Sequence, residues 1–266
     1  QNKFKSKVID ITYVTDLNKD QPAMMKNALE SICKEADQAI NDGFNIIILS
    51  DRATTSKRLA IPALLACSST HQYLVKSGNR TNAGLVIDTG SAREVHHFAL
   101  LAGYGAEAIC PWLTYETIKT LTDDFLTAQE NYIKALGKGL FKVMSKMGIS
   151  TYQSYCGAQV FEAIGLNEQF IKKYFTGTIS NVDGIGIDQV VMETLRIHQS
   201  AYGNDPVLSK ALDAGGEYAF RIRGEEHMWT PESIAKLQHS TKKNNFETYK
   251  EYAELINNQA HRHMTL

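Results

Sequence analysis

The chain's 266 residues carry 28 Lys+Arg against 29 Asp+Glu, a formal net charge of −1, with 43% hydrophobic and 21% charged residues. So even a balance gives no reason to expect a nucleic acid or an acidic membrane surface as partner, and no apolar run is long enough to span a bilayer. The length allows one large α/β domain, or a domain with an appendage, and a substantial core.

Residues 8–13 alternate and are rich in β-branched side chains, which predicts a first strand. A polar turn follows over 16–20, and Pro22 suits the first turn of a helix. Met25, Leu29, Ile32, Cys33, Ala36, Ala39 and Ile40 then keep helical spacing up to Gly43. Residues 45–49 read as a short buried parallel strand ending in Ser50-Asp51-Arg52. A polar loop is expected over 54–59, then a helix opened by Pro62 and stopped by Gly78. Residues 83–87 are the third strand, ending in Asp88-Thr89-Gly90, and Ser91 with Glu94 reads as a capping box for the next helix. That helix is expected to bury Val95, Phe98, Ala99 and Leu101. The fourth strand is 106–110, closed by Pro111.

These alternations predict an α/β fold whose parallel βα units form an open sheet or a partial barrel. A mostly helical C-terminal region should follow: helices over 113–121 and 125–147, a fifth strand over 149–155, and short helices over 158–163 and 167–174. A glycine-bearing loop over 176–186 leads into a helix over 187–202. Glycine and proline over 203–216 mark a boundary. Beyond it come a strand-like 218–222, a helix capped by Thr230 with Pro231 at its first position, and a last helix over 245–261.

Few side chains suggest chemistry. Asp51 beside Arg52 at a strand end could orient a carboxylate or bind an anion, or could be an ion pair or partner contact at the sheet rim. His96 and His97 point about 100° apart on a helix and cannot grip one metal ion. Gly90 could offer amides to a phosphate, but Glu94 competes for them. Thr176-Gly177-Thr178 and Gly184-Ile185-Gly186 lack the spacing of a P-loop or a dinucleotide fingerprint. Cys33, Cys67, Cys110 and Cys156 are scattered, with no metal or disulfide spacing, so a reduced, cytoplasmic setting is expected. Residues alone thus predict an α/β domain without identifiable catalytic machinery.

Longer phrases are more specific. LSDR (49–52), IPALLACSSTHQYLV (61–75) and GSAREVHHFALLAGYGAEAICPWLTYETI (90–118) closely resemble the central domain of glutamate synthases. KGLFKVMSKMGISTYQSYCGAQVFEAIGL (138–166) resembles the segment leading away from that domain, and the run over 215–257 resembles the lead-in to the family's flavin domain. The resemblance implies a parent enzyme that makes glutamate from glutamine and 2-oxoglutarate. In it, an amidotransferase domain releases ammonia, and an FMN domain with a 3Fe–4S cluster reduces the imine. The central domain joins the two and helps wall an ammonia tunnel.

The resemblance carries no catalytic, cofactor-binding or metal-binding position onto this sequence, where Gln1 stands at the start. Its expectations are a central domain over 1–210 (βα units over 1–112, helical part over 113–210) and a lead-in over 211–266. Partners would be the amidotransferase and FMN domains of the same chain. Asp51, Arg52, Thr89 and His96 are the expected interdomain or tunnel contacts. Both ends of the sequence read as those of a piece of something longer. The alternative is a free-standing α/β enzyme or small-anion binder using Asp51, Arg52 and Gly90.

Overall fold

A computed structural model describes residues 4–15, 19–203, 215 and 219–259. The chain divides into two compact units, Gln1–Gly203 and Asn204–Leu266.

In the first unit the strands β1 (Ser6–Asp10), β3 (Ile46–Ser50), β5 (Gly84–Asp88) and β6 (Ala108–Cys110) form one parallel sheet in the order β1-β3-β5-β6. It is an open sheet. Between β1 and β3 lie β2 (Thr12–Val14) and α1 (Gln21–Asn41), and after β3 come β4 (Arg58–Ala60) and α2 (Ala63–Ser77). The predicted first strand is therefore split, and part of the predicted 54–59 loop is β4, which pairs antiparallel with β2. Three-residue strands are too short to show a period.

Helix α1 forms as its sequence dictates. The Asp20 carboxylate accepts from the Ala23 amide at 3.1 Å, Pro22 occupies the first turn, and the seven predicted apolar positions are all buried. Gly43, at φ 87°, makes the left-handed turn into β3. Fully burying each large side chain is worth about 1.5–3 kcal/mol.

The core row of the sheet is Ile9, Ile47, Leu49, Leu85 and Ile87, each at most 1% exposed, with Met25, Leu29, Leu65 and Leu101 in the same cluster. The opposite row is less covered: Ile46, Ile48 and Val86 are half-buried, and Val8 is 59% exposed. Only at the carboxyl ends, at Ser50 and Asp88, does that row become buried.

Helix α3 (Val95–Gly103) starts later than the predicted capping box. Glu94 is its N-cap, and the His97 Nδ1 atom accepts from the amides of Arg93 (3.1 Å) and Glu94 (3.4 Å). The Ser91 hydroxyl instead lies 3.0 Å from Thr89 Oγ1. Ala99 and Leu101 are buried as expected, while Val95 and Phe98 are half-buried.

Beyond β6 come α4 (Trp112–Leu121) and α5 (Phe125–Lys146). The predicted fifth strand is not one: Thr151 caps a single helical turn, α6 (Tyr152–Tyr155). Tyr152 and Tyr155 instead reach inward, donating to the carbonyls of Ala106 (2.6 Å) and Ala99 (3.0 Å).

The predicted 158–163 helix and 176–186 loop are also overturned. β7 (Glu162–Leu166), α7 (Glu168–Tyr174) and β8 (Ile179–Ile185) form a small βαβ unit whose two strands pair in parallel, with irregular register. Helix α8 (Ile187–Tyr202) closes the unit with Val191 and Leu195 buried, and His198 Nε2 lies 2.8 Å from the Thr55 carbonyl.

In the second unit, α9 (Pro231–Lys243) and α10 (Phe246–Asn257) form a helical hairpin turned by Asn244 at φ 49°. Thr230 caps α9 through the Ser233 amide at 3.2 Å, as its sequence predicts. Lys236 bridges to Glu251 at 2.8 Å. Of the strand-like 218–222, residue 218 lies outside the described residues and 219–222 is not a strand. The 203–216 boundary also falls largely outside them, and the last helix ends at Asn257 with Asn258 as its cap, short of the predicted 261.

Candidate functional site

The carboxyl ends of β3, β5 and β6 bring together the polar residues that the sequence places at strand ends. Parallel register sets this up: Ser50 pairs with Asp88, and Asp88 with Cys110. The residues just after each strand therefore crowd one edge.

Asp51 is 6% exposed. Its carboxylate accepts from Thr89 Oγ1 (2.5 Å), from the Gly90 amide (3.0 Å to each oxygen) and from Trp112 Nε1 (2.6 Å). A buried carboxylate needs such donors to offset its lost hydration. The anion that the Gly90 amide holds is thus Asp51 itself. Gly90 also sits tight: a Cβ there would lie 3.2 Å from Leu113 Cβ and 3.3 Å from the Trp112 ring.

Arg52 does not pair with Asp51. It forms a two-pronged bridge to Asp88, Nε to Oδ2 at 2.7 Å and an Nη to Oδ1 at 3.0 Å, and lies over the Trp112 ring at 5.2 Å. Ser50 Oγ donates to Asp88 Oδ2 at 2.8 Å. Burial alone would raise the Asp88 carboxyl, but the hydrogen bonds from Arg52 and Ser50 outweigh it and hold it below its ordinary value. The same bridge raises Arg52. Burial, followed by Asp88, pushes up the neighbouring Cys110 thiol.

The structure therefore joins Asp51 and Thr89 in one network and places Arg52 in an adjoining one. His96 shares neither: it is exposed on α3, with its ring edge toward Phe161 at 6.3 Å. His97 is half-buried, and burial chiefly lowers its pKa, with Glu94 opposing. A cavity of about 390 Å³ opens beside Asp51, walled by Ile61, Pro62, Leu64 and Leu100, with Arg93 and His97 at its lining.

Sequence reasoning missed Asp88 and Trp112 as network members, and also a second cluster at the amino end of the sheet. There Arg80 donates to His71 Nδ1 (2.9 Å), the Ala83 and Gly105 carbonyls (2.8 and 2.9 Å) and Glu107 (2.9 Å). An arginine always donates, so His71 is held neutral with its proton on Nε2. Burial, then Arg80, pushes its pKa down to about 4. These residues are scattered in sequence, and no motif announces them.

The residues present do not fit an iron–sulfur cluster. All four cysteines are free thiols, and Cys33 and Cys67 are buried. Among the described residues no group of His, Cys, Asp or Glu could hold a metal ion, and no helix is long and apolar enough to cross a membrane. At the strand ends the Gly90 amide is already taken by Asp51.

Fold and edge together define a parallel α/β domain whose strand-end polar groups are satisfied by one another. The chain belongs to the glutamate synthase central domain family, whose profile matches residues 1–167. It is 40% identical to the glutamate synthase [NADPH] large chain of Bacillus subtilis over 94% of its own length and 16% of that protein's. It is 38% identical to the glutamate synthase [NADH] of Schizosaccharomyces pombe (97% and 13%). Identity is also 38% to ferredoxin-dependent glutamate synthase 1, chloroplastic/mitochondrial, of Arabidopsis thaliana (96% and 17%). The chain thus spans about a sixth of the length of these relatives.

Proposed function

We propose that this chain is a non-catalytic connecting domain of a glutamate synthase large chain. It would join the amidotransferase and FMN domains of one polypeptide and help wall the ammonia path between them. The parent makes glutamate from glutamine and 2-oxoglutarate, and its FMN and 3Fe–4S cluster belong to the neighbouring synthase domain. Residues 1–210 are the central domain and 211–266 the lead-in to the flavin domain. Four free thiols suit a reducing, cytoplasm-like compartment.

One observation carries the reading: the carboxylate best placed for chemistry, Asp51, has its oxygens bound by Thr89, Gly90 and Trp112. A group so fixed organises a surface. The half-exposed row of Val8, Ile46, Ile48 and Val86 supports the same reading, because parallel sheets are ordinarily covered on both faces. Arg52 and His96, exposed at or near that edge, are the proposed interdomain contacts, with Asp51 and Thr89 holding the edge from beneath. A conduit needs rigid walls, since ammonia that escapes is protonated in bulk water.

The intact large chain carrying Arg52→Ala tests this. Glutamine hydrolysed per glutamate formed should rise while glutamine hydrolysis itself persists. An unchanged ratio would count against the conduit, and turnover of glutamine or 2-oxoglutarate by the purified 266-residue chain would count against a non-catalytic role.

A further inference from the structure

Helix α5 is wetter on its outer side than its sequence warrants. Its inner side packs on α3 and α4, with Tyr132 donating to the Arg93 carbonyl and Gly139 against Val95, while Met144, in line with Leu126, is buried where the helix ends. Yet Leu126, Ile133 and Phe141 are 71%, 51% and 70% exposed. At about 100° per residue, these three and Gly137 fall along one stripe beside the packed face. The stripe runs 15 residues, about 22 Å at 1.5 Å per residue.

Two glycines two residues apart explain each other. A Cβ at Gly139 would overlap the Val95 methyls, so that glycine lets α3 approach closely. A Cβ at Gly137 meets nothing within 4 Å. Glycine inside a helix costs about 0.5–1 kcal/mol relative to alanine. At Gly139 close packing repays that cost; at Gly137 no contact within the described residues does. Beyond the stripe, on one flank, Lys134, Lys138, Lys142 and Lys146 form an exposed ridge at i, i+4 spacing. No described ion pair involves any of them.

We propose that this face of α5 docks an acidic amphipathic helix from another domain of the same large chain. Its apolar rib would lie along Leu126, Ile133 and Phe141, its backbone would cross close at Gly137, and its carboxylates would meet the lysine ridge. The narrow straight stripe fits a helix. Lysines on one flank complement an acidic protein helix better than a lipid surface, which favours basic residues on both sides of a broad apolar face. A gap at Gly137 suits a backbone rather than acyl chains. The relatives are about six times as long as this chain, so tethered neighbours are present at high effective concentration. The inference rests on the reading of the chain as one domain of a larger synthase, and not on the ammonia conduit.

The test uses the intact large chain. A carbodiimide joins lysines to carboxylates in direct contact, and peptide mass spectrometry locates the links. Expected are links from Lys134, Lys138, Lys142 or Lys146 to one acidic helix elsewhere in the same polypeptide. These lysines should also be acetylated several-fold more slowly than exposed Lys172, a difference that Ile133→Glu with Phe141→Glu abolishes. Both substitutions lie on an exposed face, so far-ultraviolet circular dichroism should be unchanged. Lysines as reactive as Lys172 and without links would overturn the proposal. So would links between isotopically mixed copies, or co-flotation of the intact chain with phosphatidylserine vesicles through this face. None of these outcomes bears on the glutamine-to-glutamate ratio, so this inference and the conduit can fail separately.

Discussion

Asp51→Asn tests whether the strand-end network holds the edge together. The amide keeps the shape of the carboxylate but loses its charge and one acceptor. Trp112 Nε1 and the Gly90 amide can only donate, so the new amino group must turn toward Thr89 Oγ1. Thr89 Oγ1 already accepts from the Ser91 amide at 3.1 Å. Three charge-assisted bonds become two neutral ones and one reorganised one. At roughly 1 kcal/mol of lost charge assistance per bond, the cost is about 3 kcal/mol. For a unit of this size that corresponds to about 6–12 °C in Tm. The chain has two tryptophans, and Trp112 lies inside the network. Urea unfolding followed by Trp112 fluorescence in a Trp229→Phe background therefore reads the first unit alone. A loss below about 1 kcal/mol would refute the reasoning, because a neutral amide would then serve as well as the buried charge.

His71 predicts an acid-dependent loss of stability. Its folded pKa lies at about 4, below the ordinary 6.5, so the fold binds the neutral form. The contribution is complete above about pH 6.5 and is lost as pH falls toward 4; after discounting for partial solvent exposure it is about 1–2 kcal/mol. His71→Asn should flatten stability against pH in that window, and an unchanged slope would place the titration elsewhere. On α5 the two glycines should respond oppositely. Gly139→Ala should cost about 1–3 kcal/mol through overlap with Val95. Gly137→Ala should be neutral or stabilising by up to about 1 kcal/mol in the 266-residue chain, as differential scanning fluorimetry can show.

The parts of the fold that repeat on a local period were legible. Helix α1 could be read from Met25 to Ile40 because each apolar residue meets the same core, and Gly43 and Gly78 stop helices by accepting positive φ. The small βαβ unit was not legible. β7 is only EAIGL, Gly165 sits at φ 77°, and Ile164 points outward, so alternation is absent. Its partner β8 lies across a helix, and such pairing leaves no trace in spacing. At the strand ends the sequence placed Asp51, Arg52 and Thr89 correctly in the chain. It could not say that Arg52 would cross to Asp88, because that choice is made by the register of β3 on β5. The hydrogen bond from Trp112 Nε1 depends on the β6 turn and is equally non-local.

Arginine clamps hold the sheet at both ends, and their surroundings decide which matters more. Arg52 reaches Asp88 with its side chain 53% exposed, so solvent screens the bridge and Arg52→Ala should cost about 1 kcal/mol or less. Arg80 is 13% exposed and serves His71, two backbone carbonyls and Glu107. Removing it leaves a buried ring nitrogen and the carbonyls of Ala83 and Gly105 without their donors, which should cost about 3–5 kcal/mol. Arg80→Lys should recover little, because an ammonium cannot reach acceptors spread around a planar fork. Equilibrium urea unfolding of the three variants gives the order directly. If Arg52→Ala costs as much as Arg80→Ala, the amino-end cluster is not the stronger clamp, and the rigidity expected of a wall would have to come from the edge where Asp51 sits.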